Sequence, residues 1–207
     1  MIVLPETELD ELKNYFENRN YKSSYAPGFT WRGITYGELT VFNANILTLK
    51  SANIIALGGT GERNLVFIRE SLKFDVRVAK ITIDKTALAT SFQYRDQQFT
   101  LVNTHLCSDV HNRRKLTQLQ VVLHAVGKDK PTIILGDFNY PMGSGLEKLM
   151  RGNGFVSALD RQNTFRFGPG VYWQNDYIFR RNCVVEETEV KKIHHSDHYP
   201  VFFKVAL

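Results

Sequence analysis

Thr132-Ile133-Ile134-Leu135-Gly136-Asp137-Phe138-Asn139 sets a largely apolar run directly against a glycine and two polar residues. The run follows Pro131 and does not alternate, so it reads as a strand covered on both faces. Polar side chains placed where such a strand ends are held by a rigid frame. Three other stretches repeat the arrangement. Asn103-Thr104-His105-Leu106 closes an apolar strand over residues 99–102. Asn175-Asp176 precedes Tyr177-Ile178-Phe179, and Ser196-Asp197-His198-Tyr199-Pro200-Val201 opens the last strand.

Working outward, the chain alternates apolar runs with turn signals and shows no internal repeat, low-complexity segment or linker. Residues 2–4 predict a short buried strand. Thr7 and Asp10 then mark a helix start, with Leu9, Leu12 and Phe16 on one face. Residues 25–37 carry Pro27, Gly28, Gly33 and Gly37 and predict a loop. Residues 39–49 and 54–57 look extended, and Gly58-Gly59-Thr60-Gly61 predicts a turn. That glycine cluster lacks the Lys-Ser/Thr ending of a phosphate-cradling loop. Residues 65–68, 76–83, 87–94 and 99–104 predict an antiparallel meander. Leu116, Leu119, Leu123 and Val126 share a helical face over 112–126, and residues 146–150 predict a shorter helix. Many strands with few helices point to an α+β fold in which sheet packs on sheet, in one domain over residues 1–207.

Composition sets wider bounds. The chain has 207 residues, 43% hydrophobic and 23% charged, as in an ordinary globular protein with a sizeable core. Its net charge of +5 favours an anionic partner such as a phosphate ester or nucleic acid. No apolar run approaches the roughly 18 residues that span a bilayer. The start, Met1-Ile2-Val3-Leu4-Pro5-Glu6, lacks the layout of a secretory signal, so a cytoplasmic protein is expected. Cys107 and Cys183 do not form a metal-binding pair and are expected as thiols of a reducing compartment.

Singly, each polar cluster has an ordinary explanation: a structural histidine at His105, a turn at Asp137 or Asp176, a surface pair at Asp197-His198. Their joint order resembles the endonuclease/exonuclease/phosphatase family from about Glu6 to the end of the chain. Asn103-Thr104-His105-Leu106 followed by Arg114 and Gln118 is similar to one family stretch. Gly136-Asp137-Phe138-Asn139 resembles its most specific signature, and Ser196-Asp197-His198 with Pro200-Val201 is nearly as specific. The resemblance implies a four-layer α/β/β/α sandwich of two mainly antiparallel sheets. It implies a Mg²⁺- or Mn²⁺-dependent phosphodiesterase, acting on a phosphodiester in DNA or RNA. It also implies roles. Asp137 would orient the attacking water, and Asn139 would hold a phosphate oxygen or the nucleophile. His198 would act as general base with Asp176 as its carboxylate partner. His105 would stabilise developing charge, and Glu6 and Asp197 would hold the metal.

The chemistry asks for such a set. Water is a weak nucleophile, and a carboxylate–imidazole pair orients and deprotonates it. Mg²⁺ and Mn²⁺ suit oxygen ligands, whereas no compact Cys/His cluster suggests zinc. There are two departures. Pro5 stands where the family usually has Gln, and the chain starts at the Glu-bearing strand, whereas members begin with an earlier strand ending in Asn. Asn43, Asn45 and Asn103 are the candidates to replace that residue. The alternative reading is a catalytically inactive phosphate-binding or interaction module, or a phosphatase or phospholipase on the same fold. The further Asn- and Trp-rich motifs of AP endonucleases are not found. Phe165, Phe167, Tyr172 and Trp173 precede Asp176 and would either stack on a base or headgroup or pack beneath the site loop.

Overall fold

The computed structural model describes the backbone of residues 3–31, 34–70, 73–108, 112–140, 144–159, 161–193 and 196–207. Side chains are described for the same segments apart from residues 3–8, 31, 34, 59–83 and 144. β1 (Val3–Pro5) runs straight into α1 (Glu6–Glu17). Leu9 is the buried anchor of that helix, and Leu12 and Phe16 follow it half-buried. β2 (Tyr21–Trp31) and β3 (Ile34–Asn43) pair antiparallel, and β1 pairs with the other side of β3. The loop expected over 25–37 is therefore a hairpin; residues 32 and 33 lie outside the described residues. Its punctuating residues do other work. Pro27 sits at a register shift, where a ladder donor is dispensable. A Cβ on Gly37 would lie 2.1 Å from the Ala26 carbonyl oxygen, so this glycine permits close approach of two strands.

β4 (Thr48–Glu70), β5 (Lys73–Tyr94) and β6 (Gln97–His105) form an antiparallel meander, of three strands where four were expected, because segments 76–83 and 87–94 are both part of β5. The strands are longer than the apolar runs suggest. Segments 54–57 and 65–68 belong to one strand, and the turn expected at 58–61 runs through it. Gly58, with φ +84°, meets a register shift there, so its freedom serves a bulge.

The remaining elements are α2 (Asn112–Ala125), β7 (Thr132–Asp137), α3 (Ser144–Gly152), β8 (Val156–Ser157), β9 (Phe165–Gly168), β10 (Val171–Trp173), β11 (Asp176–Arg181), β12 (Val184–Val190) and β13 (Val201–Ala206). The central sheet has the order β4-β5-β6-β7-β11-β8. Its one parallel neighbour pair among the described residues is β6–β7, joined by α2 as a crossover, as parallel neighbours require. On one face, Leu119 and Val122 of α2 and Met150 of α3 pack against Val102, Ile134 and Phe179. On the other, Ile133 and Ile178 meet Leu135, Val201, Phe203 and Val205, so the β12–β13 pair covers that face. Beside it the three-stranded sheet packs through Phe42, whose ring lies 5.0 Å from Phe92. With α1 against β2 and β3, the layers are α/β/β/α, and the sheets are mainly antiparallel. Cys107 and Cys183 are buried and form no disulfide. No described helix is long and apolar enough to cross a membrane.

Candidate active site

Strand register builds the site. The parallel β6–β7 pairing places His105 opposite Asp137, and the antiparallel β7–β11 pairing places Asp137 opposite Asp176. Three strands far apart in sequence thus end side by side. Gly136 makes this possible. It has φ +135°, and a Cβ there would lie 1.9 Å from the Thr104 carbonyl oxygen of β6. Asn139 follows in the left-handed region, φ 47°, where asparagine is tolerated better than most residues. Its backbone N–H donates to Asp137 Oδ1 at 2.7 Å, and its Nδ2 donates to the Leu106 carbonyl at 3.0 Å. Gln118 on α2 accepts the Cys107 N–H at 2.8 Å, which ties down the backbone just past His105. Arg114 lies on the same helix.

His198 arrives from the loop before β13. That loop docks on β9: the Arg166 N–H donates to the Asp197 carbonyl and the Tyr199 N–H to the Thr164 carbonyl, both at 2.7 Å. Buried Thr164 also accepts the Asn175 and Asp176 N–H groups on its hydroxyl, at 3.1 and 2.9 Å. One threonine therefore positions both halves of the Asp176–His198 pair. Asp176 Oδ2 lies 2.8 Å from His198 Nδ1. His198 Nε2 and His105 Nε2 each lie 3.6 Å from Asp137 Oδ2. These groups line a cleft of about 730 Å³, together with Ser196, Asp197 and Tyr199.

The electrostatics are uneven. Burial, then the charge of Asp176, pushes the Asp137 carboxyl well above the ordinary aspartate range. Burial works to lower the His198 imidazole. The hydrogen bond and charge of Asp176, with Asp137 and Asp197, outweigh it and leave His198 raised. His105 is driven well down by burial, then by Lys85 and His198, so it is neutral near pH 7. Its Nδ1 is buried with no hydrogen-bond partner among the described residues.

Of the site residues expected from sequence, His105, Asp137, Asn139, Asp176, Asp197 and His198 converge on this edge. Glu6 begins α1 directly after β1, but its side chain lies outside the described residues. Asn43 ends β3 beside Tyr21, and Asn45 follows in the turn, whereas Asn103 precedes His105 on β6. Asn103 donates to the Leu39 carbonyl at 3.2 Å, and its Oδ1 is buried without a partner among the described residues. Sequence reading missed Glu38, Lys85, Thr86 and Thr164. Glu38 is 2% exposed and accepts from Thr86 Oγ1 at 2.8 Å; burial pushes its carboxyl up to about 7. Lys85, also buried, lies 4.4 Å over the Phe29 ring, and its charge reaches Glu38, His105 and Asp137. A glutamate within a strand carries no signal of facing inward, because alternation alone does not say which face is buried. Arg180 and Arg181 stand at the far end of β11 from the site, paired with Ile133 and Thr132. Arg181 holds the Asn153 and Gly127 carbonyls and is structural.

No three His, Cys, Asp or Glu side chains gather at ligand distance among the described residues. The donors lining this cleft are nevertheless oxygen-rich: Asp137, Asp176 and Asp197. That chemistry fits a hard divalent cation rather than a thiolate-bound one.

Together the sandwich and its strand-end Asp–His–Asp cluster define a protein of the phosphoesterase-fold class. The family described as "Endonuclease/Exonuclease/phosphatase family" matches residues 1–198, and the chain belongs to it. A search of curated proteins returned no match. Among solved structures, an endonuclease/exonuclease/phosphatase from Bacteroides vulgatus superposes with TM-score 0.75 at 16% identity, covering 99% of this chain and 82% of that one. D. rerio TDP2 complexed with single strand DNA product gives 0.67 at 14%, covering 99% and 84%. A mannosyl-6-phosphatase from Bacteroides thetaiotaomicron gives 0.65 at 15%, covering 96% and 82%. At such identities the likeness speaks for the fold.

Proposed function

We propose that this chain is a divalent-metal-dependent phosphodiesterase that cleaves nucleic acid with an activated water. The observation that carries the reading is the line Asp176–His198–Asp137, at 2.8 and 3.6 Å. Asp176 fixes the His198 tautomer so that Nε2 faces the cleft as a base. Water held between Asp137 Oδ2 and His198 Nε2 loses a proton to His198 as its oxygen bonds phosphorus. The bond from phosphorus to the leaving oxygen breaks, and that oxygen is protonated from solvent. Neutral His105 donates from Nε2 to a phosphoryl oxygen, and Asn139 contacts another. Glu6 and Asp197 would hold Mg²⁺ or Mn²⁺, which when bound neutralises charge on the phosphoryl group.

The net charge of +5 supports a polyanionic substrate, DNA or RNA. The single strand DNA product held by the D. rerio relative agrees with it, whereas the mannosyl-6-phosphatase shows that the fold also serves sugar phosphates. The test is a panel of single-stranded DNA, duplex DNA, RNA, sphingomyelin and inositol phosphates, each with Mg²⁺ or Mn²⁺. Cleavage of an oligonucleotide is expected. Hydrolysis of only the lipid or the inositol phosphate would remove nucleic acid from the reading. Hydrolysis of none would favour the inactive-module alternative.

A further inference from the structure

A second cavity, of about 280 Å³, lies on the other face of β11. Side chains alternate along a strand, so Phe179 lines this cavity whereas Asp176 and Ile178 line the active-site cleft. Its apolar lining is built from the buried side chains of Leu146, Phe155, Leu159 and Phe179. The Arg181 guanidinium lies 4.3 Å over the Phe155 ring and pins it. Close-packed interiors leave few voids larger than a water molecule, and this one would hold several. Its exposed lining is charged. Glu147 and Arg151 stand one turn apart on α3, and Arg161 joins them from the loop after β8. Neither arginine forms an ion pair among the described residues. Arg161 also holds φ 38°, in the left-handed region that an arginine seldom adopts. Gln174 lines the same cavity and is 4% exposed. Its Nε2 donates to the Leu159 carbonyl at 3.4 Å and to the Asp176 carbonyl at 3.2 Å. Those two acceptors fix the orientation of the amide, and its Oε1 has no partner among the described residues.

We propose that this cavity is a second ligand site and that its occupant is a nucleoside monophosphate. Three demands have to be met together. The apolar lining asks for a flat, largely apolar body. Gln174 Oε1 asks for an N–H or O–H donor on that body, because a buried acceptor left unmet is costly. Arg151 and Arg161 ask for an anion, which relieves two like charges and suits the planar guanidinium fork. Glu147 opposes the anion, but two arginines stand against one glutamate. A nucleobase supplies the ring and its N–H, and the phosphate supplies the charge. An aliphatic carboxylate would leave Gln174 unmet, and inorganic phosphate would leave the apolar lining bare. The volume lies at the low end of the roughly 300–1,000 Å³ of ligand pockets, so it takes one nucleoside and no oligomer. The site goes beyond the phosphodiesterase reading and does not depend on it. Where that reading holds, the occupant has the chemistry of an end product of nucleic-acid hydrolysis. Gln174 then joins its seat to the Asp176 backbone on the catalytic side of β11.

The experiment is calorimetric titration of the full chain with adenosine monophosphate, adenosine and inorganic phosphate. It is repeated on Arg151→Ala, Arg161→Ala, Val156→Trp and His198→Ala. Arg151, Arg161 and Val156 are exposed, so their replacement should leave the fold intact. Val156 lines the cavity, and a tryptophan there fills it. Adenosine monophosphate should bind the parent, about tenfold more weakly in each arginine variant, and not at all in this cavity in Val156→Trp. Adenosine and phosphate should each bind at least about tenfold more weakly than the nucleotide. Binding in the active-site cleft appears as a component that His198→Ala removes and the arginine variants keep. If that component is the whole of the binding, the second site does not exist. Phosphate that binds as tightly as the nucleotide, with the same sensitivity to Arg151 and Arg161, would overturn the nucleoside assignment. Absence of any nucleotide binding would overturn the proposal outright. Titration needs no turnover, so a chain that hydrolyses no phosphodiester yet shows the expected pattern loses the catalytic reading and keeps this site.

Discussion

Asp176 is expected to act through His198, and its removal should show in pH dependence as well as in rate. Asp137→Asn and His198→Ala should each lower turnover at least about 10²-fold, the low end for lost acid–base catalysis, with little change in unfolding midpoint. Asp176 raises both His198 and Asp137, and both must be unprotonated to activate water. Asp176→Asn should therefore move the acid limb of the pH–rate profile to lower pH. A limb that stays put would show that Asp176 does not tune the pair. Glu38 makes a separate prediction, read in stability. Its folded carboxyl titrates near 7 against an ordinary value of 4.5. Between those values the native chain keeps a proton that the unfolded chain has released, so stability falls as pH rises through that window and levels off above it. Glu38→Gln lacks that fall. Denaturant titrations should show the variant gaining on the parent by roughly 1–3 kcal/mol between pH 5 and pH 8. A constant difference would mean that Glu38 is already ionised at pH 5.

At the scale of elements, the β6–β7 contact is the most sensitive to a single atom. Gly136→Ala forces a methyl onto the Thr104 carbonyl at a φ that disfavours it, and should cost roughly 2–4 kcal/mol in urea unfolding. Because it spreads the strands that register His105 on Asp137, turnover should fall even where the variant remains folded. A neutral Gly136→Ala would mean that the strand ends adapt freely. The glycines also explain where sequence reading stopped. Gly136 stood at the end of an unambiguous buried strand, so its polar neighbours were legible as a site. Gly28 and Gly37 punctuate a hairpin in which they allow close strand contact, and Gly58 serves a bulge. Glycine marks a backbone need without saying which one. The Asp176–His198 pair was legible because both residues sit in recognisable words. Thr164, which positions them, lies just before a four-residue strand, too short to register as a pattern. Glu38 and Lys85 were hidden because their burial depends on the second sheet, which no local window contains.

For the whole molecule, the charge balance and the oxygen-donor edge make two expectations. Activity should vanish on exhaustive chelation and return with Mg²⁺ or Mn²⁺; full activity after chelation would remove the metal from the mechanism. Oligonucleotide affinity should fall steeply with salt through counterion release, whereas a small phosphate ester would show a shallow dependence. The order in which the fold collects its parts has one more consequence. His105, Asp137 and Asp176 are set by adjoining strands, but His198 is in place only once residues 196–199 have zipped onto β9. On the proposed assignment, a chain emerging from the ribosome can set His105, Asp137 and Asp176 side by side and still cut nothing. Hydrolysis would then report the docking of residues 196–199 on β9, a step that a fold lacking only this loop would not reveal.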